Sequence, residues 1–187
     1  SGETEITSAE IGELVIAANE ATCIYVLPKV FSEYKKRFPH VQLLLDRSYG
    51  AKVVDAVHDN LADFGITQLP VPLKKLEAVK IHSDEIKLLL PPGHPLSKRP
   101  SVSPVDLREF PVLLPKSGST RARLNSWLDP VEEELNISME LDSTEMIKRF
   151  VMAGLGLSFL AASHCAEEVA SGDLEVTSLA PEPMIRK

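Results

Sequence analysis

The sequence predicts an α/β protein in which parallel strands alternate with helices that cover the sheet faces. Three observations carry that prediction. Short aliphatic runs have the length of strands, segments between them place apolar residues at helical spacing, and the connections are only a few residues long.

Residues 12–18, GELVIAA, read as the first strand, bounded by Gly12 and by the polar pair Asn19-Glu20. A helix at about 24–38 follows. Val30, Phe31, Tyr34 and Phe38 share one of its faces, Lys29, Glu33, Lys35, Lys36 and Arg37 take the other, and Pro39 ends it. Val41–Leu45 is a second strand. Over 50–59, Val53, Val54 and Val57 fall together while Lys52, Asp55 and Asp59 point outward, so a second helix is expected, stopped at Asn60. Ala62–Ile66 resumes the sheet and completes a β-α-β-α-β order.

Leu69-Pro70-Val71-Pro72 marks a turn. Two extended stretches follow, Ala78–Ile81 and Ile86–Leu90, separated by His82–Glu85, where the chain is expected to change lobes. After the stop at Pro91–Pro95, a helical turn is expected at Val105–Glu109 and a strand at Phe110–Leu114. The first pattern then repeats: a polar turn at Lys116–Thr120, a helix over about 121–134, a strand near Ile137–Leu141 and a helix over Thr144–Ala153. Asp142, Ser143 and Thr144, with Glu145, give that helix its start signal, and Gly154 its stop. Leu157–Ala161 is a strand, Ser163–Ser171 a helix closed by Gly172, and Leu174–Thr177 a last strand.

Composition narrows the function classes. The chain has 187 residues, 44% hydrophobic and 25% charged, with a formal charge of −7. That is the make-up of a globular protein with a sizeable core, and it lacks the electropositive footprint of a DNA-binding surface. Cys23 and Cys165 stand far apart without metal spacing, which predicts two reduced thiols in a cytoplasmic protein. No apolar run approaches the roughly 20 residues of a membrane helix, and the opening SGETEITSAE lacks a signal-peptide pattern. Neither a membrane, a metal nor a cofactor is expected.

Four stretches carry a family resemblance. LPKVFSEYKKRFPHVQLLL, residues 27–45, resembles the run that opens the effector domain of LysR-type transcriptional regulators. ADFGI at 62–66, PPGHPLSKRPSVSPVDLREFPVLL at 91–114 and AGLGLSFLAAS at 153–163 match later motifs of the same family, in the right order and spacing. Two departures stand out: Ala161 occupies a position where the family often has proline, and the chain stops at Arg186-Lys187, before a final strand and helix. With no N-terminal winged helix-turn-helix, the chain looks like an excised effector domain.

The resemblance implies a periplasmic-binding-protein type II fold: two Rossmann-like lobes joined by two crossover strands, with a ligand cleft between them. Lobe I would hold 12–83 plus 161–187, and lobe II 84–160. It further implies a regulatory role without catalysis, in which a small-molecule effector alters the geometry of a homodimer or tetramer. Dimers of this family pair antiparallel through the helices at about 24–38 and 120–134. DNA would be bound only through the absent N-terminal domain. A solute-binding protein of a transporter, which shares the fold, is the alternative.

In open α/β sheets ligands bind beyond the carboxyl ends of strands, where backbone N–H groups point outward. That rule selects Asn19, Ala21, Thr22 and Cys23 after the first strand, Ser48, Tyr49 and Gly50 after the second, and Thr67 and Gln68 after the third. In lobe II it selects Ser117, Gly118, Ser119, Thr120 and Arg121. Hydroxyls and amides dominate, which suits a small carboxylate or similar anion.

Each position also has a plainer reading. Thr22 is equally a helix cap, Ser117–Thr120 a polar loop, Arg121 a solvated cation and Cys23 a small apolar residue. Gly154-Leu155-Gly156 follows a helix and precedes a strand, the reverse of a dinucleotide fingerprint. Ser32-Glu33-Tyr34-Lys35 has the spacing of an acyl-enzyme motif without its partners. The histidines at 40, 58, 82, 94 and 164 lack paired ligand spacing, and Glu132-Glu133-Glu134 is a solvated helix end.

Overall fold

The structure is a computed structural model that describes residues 11–187. Contacts divide the chain once, between Ile81 and His82, into two compact units.

The first unit is a three-stranded parallel sheet. Its elements are β1 (Gly12–Ala18), α1 (Glu20–Tyr25), α2 (Leu27–Arg37), β2 (Val41–Arg47), α3 (Gly50–His58) and β3 (Phe64–Ile66). The strand order is β2-β1-β3, so β1 is central and buried on both faces. Its side chains alternate accordingly. Val15 and Ala17 pack with Val53, Ala56, Val57 and Ala62 on one side; Leu14, Ile16 and Ala18 pack with Leu27, Phe31, Leu43 and Ile66 on the other.

The single helix expected at about 24–38 is split at Val26, which keeps αR backbone (φ −112°, ψ −52°) but belongs to neither of the two helices that flank it. Pro28 is the reason: it has no N–H to donate and its ring would meet the carbonyl four residues back, so it serves in the first turn of a new helix. Asn60 stops α3 as expected, with φ 57° and its N–H donated to the Val57 carbonyl at 3.1 Å.

The second unit is built around β4 (Asp84–Leu90). It continues with β5 (Ser101–Val102), β6 (Pro111–Pro115), α4 (Ser119–Leu128), β7 (Asn136–Leu141), α5 (Thr144–Met152), β8 (Ser158–Ala161), α6 (Ala166–Ser171), β9 (Glu175–Leu179) and β10 (Met184–Arg186). β6 and β7 pair in parallel, and a bridge from Val112 to Leu157 joins them to β8. β8, β9 and β10 all pair antiparallel with β4. Both faces are filled: Ile86, Leu88, Leu90, Val112, Leu114 and Phe159 enter one core, Leu89, Leu113 and Leu160 the other. Trp127 packs on the first of these, edge-on to Phe159 at 5.8 Å.

Four differences from the sequence reading follow from these pairings. Residues 78–81 form no strand, and Asp84 and Glu85 belong to β4. The helix expected over 121–134 ends at Leu128 and tightens into a 3₁₀ segment over Asp129–Glu134, which carries Pro130 in its first turn. The short β10 was not expected. The strand Ser101–Val102 was likewise not expected; it pairs in parallel with β9.

A buried polar cluster sits where β4 meets β10. The Ser163 hydroxyl donates to Asp84, and Arg186 donates to Nε2 of His164 at 2.9 Å. His164 is 4% exposed. Burial above all, then the Arg186 and Lys148 cations, push its imidazole down to about 4 against an opposing pull from Asp84. Lys148, itself buried, donates to the His164 carbonyl and pairs with Glu145 and Glu168.

Two predictions follow. A Cβ on Gly156 would lie 2.8 Å from the Pro111 carbonyl oxygen, a backbone atom that cannot step aside. Gly156→Ala is therefore expected to cost about 1–3 kcal/mol in urea unfolding; unchanged stability would show that the β6–β8 approach relaxes freely. For His164, the unfolded chain binds the proton near pH 6.5 and the folded chain only near 4. Stability is thus intact above pH 6.5, falls as pH drops toward 4 and levels off below, a loss of about 3 kcal/mol. His164→Gln keeps an acceptor for Arg186 and should remove that slope from the wild-type profile; parallel profiles would refute it.

Candidate functional site

In the first unit the three strands end in register: Ala18 faces Arg47 on one side and Ile66 on the other. Asn19, Ser48 and Thr67 are the next residues of each, so the parallel pairing brings them to one edge. Asn19 is the helix cap, its Oδ1 accepting from the Thr22 N–H at 2.8 Å. Thr22 is the capped residue and not the cap, and its own carbonyl accepts from Val26. The Ser48 N–H donates to the Ala18 carbonyl at 2.8 Å, tying the β2 exit to β1. Tyr49 is 61% exposed, and Gly50 opens α3 at φ 42°. Ala21, Thr22, Cys23, Thr67 and Gln68 are half-buried. The Cys23 thiol is pushed up, by burial first, and lies 4.0 Å from the Ala18 carbonyl, as a small packed residue would.

In the second unit the ends of β6 and β7 are matched at Pro115 and Leu141. The Lys116 N–H donates to the Leu141 carbonyl at 2.8 Å, and the Ala122 N–H to the Gly118 carbonyl at 3.1 Å, so the turn between them is anchored at both ends. Ser117, Gly118 and Ser119 are exposed and Thr120 half-buried. Gly118 takes φ 102°, a conformation that side chains resist, and caps α4 without a side-chain bond. Arg121 is half-buried and tied to neighbouring groups. Its Nη1 donates to the Pro115 carbonyl and to Glu140, both at 2.6 Å, and its Nε donates to Asn125 at 2.8 Å.

A hollow of about 540 Å³ opens elsewhere in the second unit, against Pro95, Leu96, Val105 and Phe110. It lies near the amino end of β6, and the arginines on its wall are paired, Arg99 with Asp106 at 2.7 Å and Arg108 with Glu134 at 3.5 Å. We place the candidate site at the strand ends, where hydroxyls and backbone amides gather. Among the described residues no three His, Cys, Asp or Glu side chains are grouped to hold a metal, and no helix is long and apolar enough to cross a membrane. Sequence reading missed the Arg121 clasp because Glu140 lies 19 residues away, beyond any local spacing rule.

Comparison with known proteins agrees with the architecture. The family model described as "LysR substrate binding domain" matches residues 7–187. The HTH-type transcriptional regulator CbbR of Xanthobacter flavus is 31% identical over 97% of this chain and 55% of its own length. A probable RuBisCO transcriptional regulator of Trichormus variabilis is 29% identical over 94% of this chain and 54% of its own. The chain therefore spans about half the length of these relatives. Among solved structures, the Synechocystis CcmR regulatory domain in complex with 2-PG superposes with a TM-score of 0.77 at 18% identity, covering 94% of this chain and 84% of that one. The fold is that of LysR regulatory domains, of the periplasmic-binding-protein type II kind. With almost its whole length matched by the family model, the chain belongs to the LysR substrate-binding domain family.

Proposed function

We propose that the chain is the effector-sensing module of a LysR-type transcriptional regulator and that its effector is a small anion bearing a carboxylate or phosphate. One observation carries the reading: parallel strands in each unit end in register, and the residues just beyond them are rich in hydroxyls, side-chain amides and backbone N–H groups. Such groups donate hydrogen bonds to oxyanions without needing a formal charge. The CcmR regulatory domain, similar in fold, was solved with 2-PG, and the named relatives are transcriptional regulators.

The proposed contacts are Asn19, Ala21, Thr22, Cys23, Ser48, Tyr49 and Thr67 from the first unit, and Ser117, Gly118, Ser119 and Thr120 from the second. The Asn19 Oδ1 is committed to its cap, so its side-chain NH₂ is the group it would offer. Binding works by population shift: the effector favours whichever arrangement of a dimer it binds more tightly, and by no more than that difference in affinity. With a net charge of −7, this chain leaves phosphate-backbone binding to a segment outside it.

A thermal-shift titration with 2-PG and a panel of small carboxylates and phosphates tests the reading. At one hundred times Kd a ligand adds about 2.7 kcal/mol to the folded state. The expected result is a raised midpoint with at least one anion, and its loss in Ser119→Ala, whose unliganded midpoint stays within a few degrees of wild type. No response to any anion would sink the anion assignment, and an undiminished response in the variant would remove Ser119 from the contacts.

A further inference from the structure

We infer that Arg121 is the positioning residue of the Lys116–Thr120 turn: its guanidinium sets the turn's shape from behind, and does not itself grip the effector. This rests on the reading of that turn as an effector surface.

Four of the turn's five residues are exposed, and its helix begins at a glycine that provides no side-chain cap. Backbone bonds hold it at its two ends, from Lys116 to Leu141 and from Ala122 to Gly118. Arg121 closes the loop between them. Six residues separate it from Pro115, whose carbonyl it meets at 2.6 Å, so the pair forms a clasp across the base of the turn. The same Nη1 reaches Glu140 on the neighbouring strand, and Nε reaches Asn125 one helical turn on. One rigid planar group thus references the turn to β6, β7 and α4 together.

The chemistry explains why arginine stands here. The fork offers fixed, divergent N–H vectors, which a lysine ammonium on a flexible stem cannot reproduce. Glu140 is about half exposed, so its ion pair alone is screened and weak. The bond to the Pro115 carbonyl is the part-buried one, and it needs the guanidinium geometry and not merely a positive charge. A guanidinium with these bonds made is also poorly placed to reach outward as a carboxylate clamp.

Amide hydrogen exchange on the unliganded 187-residue chain, read by NMR, tests the clasp without a ligand. In Arg121→Lys and Arg121→Gln the amides of residues 117–120 should exchange about tenfold faster, while those of Leu113 and Leu124 hold their wild-type rates. Glu140→Gln, which keeps an acceptor, should stay near wild type. Unchanged exchange in the turn, equal acceleration through β6 and α4, or full rescue by lysine would each overturn the inference. Titration with 2-PG supplies the second arm: both Arg121 variants should bind about tenfold more weakly through lost preorganisation, with unfolding midpoints retained. If the wild-type turn amides fail to respond to 2-PG and to the anion panel, the effector assignment of the turn fails, and the exchange data still decide whether Arg121 sets its shape.

Discussion

Parallel pairing is the constraint from which the rest of this chain follows. Two parallel neighbours cannot be joined by a tight hairpin; the chain must cross back over the sheet, and it does so through α1 and α2 between β1 and β2, and through α4 between β6 and β7. Every such strand then delivers its carboxyl end to the same edge. β1 is central and its second half is apolar and buried, so polar side chains are displaced to the residue after it. Asn19, Ser48 and Thr67 stand where they do because Ala18, Arg47 and Ile66 are in register.

The second unit combines that logic with an antiparallel one. β6 and β7 provide the matched strand ends, while β4 recruits β8, β9 and β10 as antiparallel partners. Glycine makes the junction possible: β8 enters beside β6 only because Gly156 leaves room for the Pro111 carbonyl. The second unit also buries polar side chains, and these find partners. The Ser158 hydroxyl donates to the Leu113 carbonyl at 2.7 Å, and Thr177 to the Leu96 carbonyl at 3.1 Å. Lys148 keeps its charge within reach of two glutamates, which is what an ammonium needs when water is removed from it.

Local order was legible in the sequence wherever a periodic pattern and its punctuation agreed. β1 was read to the residue from GELVIAA, and α3 and α5 within one or two residues from their apolar faces and their stops at Asn60 and Gly154. What escaped were features decided by distant partners. β10 is three residues long and follows Pro181 and Pro183, so nothing local marks it; it is a strand because β4 has an edge to offer. Of the candidate site, the strand-end positions were readable from the rule for parallel sheets, whereas the split between cap and capped at Asn19 and Thr22, and the Arg121 clasp, depend on hydrogen bonds that spacing leaves open.

The Arg121 clasp also bears on the proposal that this acidic chain takes an anionic effector. Long-range attraction is unavailable at a net charge of −7, and salt would screen it within about 8 Å in any case. A site of neutral donors works at contact distance, where hydroxyls and backbone N–H groups replace the water around an oxyanion one bond at a time. Its selectivity then comes from the positions of those donors more than from charge. Under the proposed anion reading, the shape of the Lys116–Thr120 turn is therefore the quantity to be controlled, and a guanidinium that holds the turn serves such a site better than one that grips the ligand.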